Sequence, residues 1–319
     1  MNAAVVHSFD APPRYETFAD PIPQADEILV TVTAAGLHPI VKSLAKGTHY
    51  GSTGQLPFVP GVDGVGRTPD GVRVLFGSSR PPYGTFAKRS ITRRSMCTPL
   101  PDALDDAIVA AMINPAMSSW AALAHRAHFV SGENILILGA TGCSGHLAVQ
   151  IARRFGARRI VAVGRNPRAL EETKSLGADA TILLNQDRDG LVSAFRDEIS
   201  NNKIDVILDY LWGPPAEALL AAVVQKGLDH ESRRLRYIQI GNSAGPNLSL
   251  HAATLRSSGL ELIGSGFGSV SMDKIFESLR AVLQEAAKQP FRIKLAAAPL
   301  RDVEKLWNSH EHARLVFQP

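Results

Sequence analysis

Cysteine is nearly missing from this chain: Cys97 and Cys143 are the only two among 319 residues. That count excludes a disulfide framework and a four-cysteine zinc site, and it makes a reducing compartment the default. Aromatic residues are scarce at 6%, and neither sign of charge dominates, with 34 Lys and Arg against 30 Asp and Glu and a net charge of +4. No uninterrupted basic tail occurs, so no nucleic-acid partner is expected. No run approaches the ~18 apolar residues of a membrane span, and Met1 to Asp10 does not join a basic start to an apolar stretch. A cytoplasmic protein without a membrane partner is the expectation. Low-complexity segments and repeats at solenoid spacing are lacking too, which excludes a fibrous or repeat architecture.

The composition that remains, 45% hydrophobic and 20% charged with 26 Gly and 20 Pro, is that of a globular protein. A single core stops growing near ~250 to 300 residues, so two domains are expected. Up to residue 115 the chain is rich in Pro and Gly, with short apolar runs at Ile28 to Val32 and Gly71 to Phe76 between turn signals. This is the texture of a mostly β unit. After Asn114-Pro115, strands alternate with helices.

Ile135 to Leu138 is continuously apolar, as a parallel strand covered on both faces must be. Leu147, Ile151 and Phe155 then recur at helical spacing, and Gly156 can end that helix. Arg159 to Gly164 reads as a second strand, Asn166-Pro167 as an N-cap with proline in the first turn, and Gly177 as the stop. Further runs at Ala180 to Leu184, Ile204 to Leu208, Tyr237 to Ile240 and Leu260 to Ile263 complete six strands of a doubly wound parallel sheet. A long helix is expected over Met272 to Lys288, followed by short strand-like pieces.

Between the Ile135 strand and the Leu147 helix stands Gly139-Ala140-Thr141-Gly142-Cys143-Ser144-Gly145. Glycines there let the backbone turn tightly and approach a pyrophosphate, whose charge meets free N–H groups and the positive end of the helix dipole. Gly139, Thr141, Gly142, Cys143, Ser144 and Gly145 are the candidate nucleotide contacts. Cys143 at a helix start can be a reactive thiol or a small gap filler. An Asp or Glu closing the second strand would suit the ribose of NAD. Here Gly164-Arg165-Asn166 occupies that place, with Arg168 following. A guanidinium clamps a phosphate through parallel N–H bonds, so Arg165 and Arg168 point to the 2′-phosphate of NADPH.

Several blocks occur in order: Ala35 to Pro39, Pro57 to Gly66, the glycine loop, Asp205 to Asp209, and Tyr237 to Asn242. With them the chain resembles zinc-independent members of the medium-chain dehydrogenase/reductase superfamily, the quinone oxidoreductase and enoyl reductase branch. The resemblance covers nearly the whole length. It implies a GroES-like, mostly β catalytic domain from residues 1–115 and 264–319, with a Rossmann NADP-binding domain over 116–263. It also implies a homodimer paired through the run around Leu260 to Gly264. Zinc-dependent members hold a catalytic zinc with a Cys after the first block and a His in the second; those places read Leu37-His38 and Gly61-Val62-Asp63. Three protein ligands are needed, so no metal is expected. The pairs His125 with His128 and His310 with His312 lack a third ligand and read as solvated faces.

The chemistry so implied is hydride transfer from NADPH to a small-molecule quinone or to the activated C=C bond of an enone. Tyr50, in His49-Tyr50-Gly51, stands with one inserted residue where enoyl thioester reductases carry a tyrosine, and is the candidate proton donor. His38 replaces an asparagine of relatives and Val41 an aspartate. His38 can hydrogen-bond a carbonyl or the nicotinamide ribose, or be a buried histidine satisfied by backbone. Ser118 matches a threonine that lies near the nicotinamide in relatives. Gly241 and Asn242 end a strand where open α/β sheets place ligands, with a plain turn as the other reading of Asn242. Two alternatives stay open: a 2-enoyl thioester reductase, and a non-catalytic NADPH-binding sensor or nucleic-acid-associated protein.

Overall fold

The computed structural model describes residues 1–224, 233–309 and 313–319. The chain divides into two compact units, one of Met1–Asn114 with Leu283–Pro319 and the other of Pro115–Val282.

The first unit is built on strands β1 (Asn2–Val5), β2 (Arg14–Thr17), β3 (Glu27–Gly36), β4 (Asp63–Arg67), β5 (Arg73–Gly77), β6 (Arg89–Arg93), β7 (Cys97–Pro99), β14 (Leu295–Pro299) and β15 (Arg314–Gln318). A short helix α1 (Pro39–Ala45) follows β3, and α9 (Val303–Leu306) precedes β15. The main sheet runs β14-β15-β3-β4-β5-β7, with β6 also pairing β3. β3 is central because its alternating apolar residues Val30, Val32 and Ala34 are all buried. β15 lies antiparallel to it, Val316 opposite Gly36 and Phe317 opposite Ala35, so both chain ends complete one sheet. Phe86 anchors the core, edge-on to Phe317 at 5.4 Å and to Trp307 at 6.3 Å between centroids.

The second unit carries β8 (Asn134–Leu138), β9 (Arg159–Gly164), β10 (Ala180–Leu183), β11 (Val206–Asp209), β12 (Arg234–Gln239) and β13 (Gly259–Gly264). Among the described residues they form a six-stranded sheet in the order β10-β9-β8-β11-β12-β13, every pair parallel. This is the Rossmann order, and the chain's direction of winding reverses between β8 and β11. All five residues of β8 are buried. The crossover helices are α3 (Cys143–Arg154), α4 (Pro167–Leu176), α5 (Arg188–Arg196) and α6 (Gly213–Val223), with α3 packed beside α4 and α5 beside α6. Asn166 Oδ1 caps α4 by accepting from Ala169 N at 3.1 Å, and Gly177 ends it at φ 120°.

Two boundaries differ from the sequence reading. The chain returns to the β unit at Leu283, not at residue 264, because Val270 and Ile275 pack with Met117 and Ala121 of the α/β unit. β12 begins at Arg234 rather than Tyr237: its arginines are neutralised, Arg234 by Glu261 at 2.7 Å and the buried Arg236 by Glu133 and the Ala127 carbonyl. Charged residues therefore hid the start of an interior strand. The apolar helical stretch Asp106–Ala127, which contains α2 (Asp106–Ala121), has the length and composition to cross a membrane, but 72% of its most apolar window is buried inside the structure. A core helix has the same composition.

Candidate active site

The glycine loop joins β8 to α3. Gly139 and Ala140 donate to the Val163 carbonyl at 3.0 and 2.8 Å, which ties the loop to β9. A Cβ at Gly145 would stand 2.3 Å from the Gly139 oxygen and 2.4 Å from Ala140 Cα, so only glycine lets α3 start this close to the strand. At Gly142 an added Cβ would meet only the Gly139 oxygen, at an ordinary contact distance of 3.7 Å. Gly142 is the N-cap of α3, and no side chain caps it. A helix start leaves its first N–H groups without intrahelical acceptors, so the amides of Cys143, Ser144 and Gly145 fit the diphosphate of a dinucleotide. Thr141 fills the space beside Gly164, whose added Cβ would lie 2.3 Å from Thr141 Cγ2.

β9 ends at Gly164, and Arg165, Asn166 and Arg168 follow as exposed residues. Asn185 Nδ2 donates to the Arg165 carbonyl at 3.2 Å and fixes the backbone there. Asn166 spends its side-chain oxygen on the α4 cap, the N-cap duty expected from the sequence. Among the described residues neither the Arg165 nor the Arg168 guanidinium has a side-chain partner.

At the reversal point of the sheet lies a turn that sequence reasoning missed. Asp209, fully buried at the end of β11, accepts from Leu211 N at 2.7 Å, from Trp212 N at 3.0 Å and from the Tyr237 hydroxyl at 2.7 Å. Burial raises its pKa, and those hydrogen bonds work against the rise. They hold Trp212 at φ 57°, a left-handed conformation unusual for a bulky residue. Leu211 then packs over Gly139: a Cβ on that glycine would come within 3.0 Å of Leu211 Cδ2. The Asp209 carbonyl accepts from Ile240 and Gly241 at 2.8 and 3.1 Å, so one residue joins two turns and strand β12. Ser119 bonds the Tyr210 hydroxyl at 2.8 Å and the Pro115 carbonyl at 2.9 Å; Ser118, its neighbour in α2, is half-buried. Asn242 is exposed, and its carbonyl accepts from Gly245 in a turn. The available signal for Asp209 was a carboxylate closing the apolar run Val206-Ile207-Leu208.

In the β unit His38 is fully buried at the start of α1, with Nε2 3.3 Å from Asp63 Oδ1. Asp63 accepts from Asn114 Nδ2 at 2.9 Å on its other oxygen. Neither ring nitrogen of His38 closes a well-formed hydrogen bond. Burial pulls the imidazole pKa down, and Asp63 opposes the fall. Gly36 makes room for the ring: a Cβ there would stand 2.6 Å from His38 Nε2 and 2.3 Å from the Ala110 oxygen. The ring expected to hydrogen-bond a substrate carbonyl or a ribose has no exposed surface here and faces Asp63. Tyr50 is 74% exposed, its ring stacked on His49 at 4.1 Å between centroids. His310 and His312 lie outside the described residues. Among the described residues no group of three His, Cys, Asp or Glu side chains is placed to hold a metal.

Residues 144–288 match the family model described as zinc-binding dehydrogenase. Over the whole length of both chains the sequence is 26% identical to the probable NADPH-dependent quinone reductase tdiC of Emericella nidulans. It is 27% identical to the quinone oxidoreductase of Sus scrofa, across 98% of this chain and 93% of that one. The fold matches the quinone oxidoreductase of Thermus thermophilus, solved also in complex with NADPH, with a TM-score of 0.81 and 22% identity over all of both chains. The quinone oxidoreductase of Pseudomonas syringae matches over all of both chains with a TM-score of 0.84 and 20% identity. This end-to-end likeness, with His38 and Val62 among the residues standing where zinc ligands would be, is to zinc-independent medium-chain dehydrogenase/reductases of the quinone oxidoreductase type.

Proposed function

We propose that the protein is an NADPH-dependent oxidoreductase that reduces quinones, with the activated C=C bond of α,β-unsaturated carbonyl compounds as a second acceptor class. The carrying observation is the pairing of an uncapped α3 start with two exposed guanidiniums, Arg165 and Arg168, that have no side-chain partner at the end of β9. Diphosphate and 2′-phosphate complement these two features. The names of the full-length relatives support the same cofactor and acceptor.

When bound, NADPH supplies the hydride. The amides of residues 143–145 hold the diphosphate, Arg165 and Arg168 clamp the 2′-phosphate, and Ser118, Gly241 and Asn242 flank the nicotinamide. Tyr50 donates a proton to the acceptor oxygen, and its exposure lets it recover one from solvent. A homodimer paired through β13 belongs to the same proposal, since β13 is the last strand of its sheet and Leu262 on it is 39% exposed.

The direct test is NADPH oxidation with quinones, enones and enoyl thioesters side by side. Turnover with quinones is expected; tight NADPH binding without turnover on any acceptor would favour a binding protein. Arg165→Ala should lower the preference for NADPH over NADH by about tenfold or more, the loss of one charge-assisted clamp. An unaltered ratio would remove the phosphate clamp. Tyr50→Phe should slow turnover by about 10²-fold, the low end for a general acid, without abolishing it.

A further inference from the structure

The turn after β11 puts a bulky residue where the backbone suits glycine. Trp212 stands at φ 57° and ψ −161°. For a residue with a Cβ this conformation is strained, and such strain persists only where the surroundings over-determine it. Gly213 follows at φ 58°, where an added Cβ would lie 2.9 Å from the Ala244 oxygen, and Pro214 and Pro215 then enter α6. Two consecutive residues are thus bent left-handed, and only the second is a glycine.

Amide and ring are both fastened. The Trp212 amide donates to both carboxylate oxygens of Asp209, at 3.0 and 3.2 Å. The indole stands edge-on to the buried Tyr237 ring, with centroids 6.4 Å apart, and packs against the core that holds Phe195 of α5 and Leu219 of α6. The Tyr237 hydroxyl donates to Asp209 in turn, at 2.7 Å, so the ring's support and the amide meet at one carboxylate. Aromatic pairs in this geometry stabilise beyond their buried area, which offsets the strain of the bend.

The bend is aimed at the nucleotide loop. Leu211 directly precedes it, its amide held by Asp209 at 2.7 Å and its carbonyl accepting from Ala244 N at 2.8 Å. Its side chain covers Gly139, the first residue of the glycine loop: a Cβ there would stand 3.0 Å from Leu211 Cδ2 and 3.1 Å from Cγ. Gly139 is itself at φ 94°, so the first turn of the loop rests on the strained one.

We propose that Trp212 is a positioning residue for the dinucleotide: its indole holds the bend, the bend seats Leu211 on Gly139, and that seat fixes the diphosphate loop before the cofactor arrives. The proposal rests on the NADPH-dependent reductase reading above and adds a residue that acts through Leu211. A loop ordered in advance loses less freedom on binding, and a bend populated only in part lowers the apparent affinity by that fraction.

Calorimetric titration of NADPH into Trp212→Ala, Trp212→Gly and Trp212→Phe separates this role from plain packing. Alanine keeps the strain and loses the clamp, so the Kd should rise by about tenfold or more. Glycine loses clamp and strain together and should stay within about threefold of wild type, although it removes more of the side chain. Phenylalanine keeps a ring against Tyr237 and should restore most of the affinity. A packing role gives the reverse order, with glycine at least as damaging as alanine in affinity or in folding, and that order would overturn the proposal. Wild-type affinity in all three variants would overturn it too. In quinone turnover the alanine loss should fall on KM for NADPH more than on kcat; a loss confined to kcat would remove the positioning role. If Trp212→Ala does not fold, Trp212→Leu, apolar but ringless, carries the same expectation against Trp212→Gly. NADPH binding without turnover would end the reductase reading alone and leave these affinities to decide; no NADPH binding by the wild type would overturn both.

Discussion

Two carboxylates, one in each unit, are used in opposite ways. Asp209 closes the parallel strand β11 and collects donors from Leu211, Trp212 and Tyr237. Asp63 opens the antiparallel strand β4, takes one bond from Asn114, and leaves Oδ1 facing an equally unpaired imidazole. A parallel strand ends in a turn whose N–H groups find no ladder partner, so a buried acceptor must supply one. In β4 the ladder to β3 and β5 already serves the backbone, which leaves the Asp63 carboxylate free to meet His38. The first carboxylate holds architecture together, and the second keeps a polar pair poised inside a core.

Removing Asp209 breaks the comparison most sharply. Asp209→Ala leaves a buried phenol and two turn amides without acceptors, and should cost about 3 kcal/mol in urea unfolding, with NADPH affinity falling as Leu211 leaves Gly139. A loss under ~1 kcal/mol would mean the turn holds itself.

Acid unfolding sharpens the comparison through its sign. The folded pKa of His38 is depressed, so its contribution is complete above the unfolded value near 6.5 and is lost as pH falls below it. The folded pKa of Asp209 is raised, so its contribution is complete below the unfolded value near 3.8 and is lost as pH rises through the folded one. His38→Gln should therefore flatten the stability profile below pH 6.5, where one proton accounts for up to about 1.4 kcal/mol per pH unit. An unchanged acid limb would assign that limb to other groups. The smallest effect is expected from Ser119→Ala, which strips the buried Tyr210 hydroxyl of its partner at a cost of about 1 kcal/mol in the same unfolding measurement.

The α/β unit was legible because its information is local. A parallel strand covered on both faces must be continuously apolar, and Ile135 to Leu138 is; a helix needs a cap and a stop, and Asn166 and Gly177 supply them. The glycine loop was legible for the same reason, since strand, loop and helix are consecutive. Arg234 and Arg236 obscured a strand because their neutralising partners, Glu261 and Glu133, are distant in sequence. The role of Asp209 was hidden likewise: its phenol donor lies on β12 and the packing it supports reaches Gly139 on another loop.

The amino-acid sequence by itself determined the alternation of strands and helices, the uncapped glycine turn, the arginines after β9 and the absence of zinc-ligating residues at the expected places, because each follows from residue type and near-neighbour spacing. Only the tertiary structure decided that β15 closes on β3, that His38 is buried against Asp63, and that Lys42 and Arg314 line one cavity. Burial and charge pairing arise between residues far apart in the chain, and their free energies depend on distance and desolvation that no local pattern encodes.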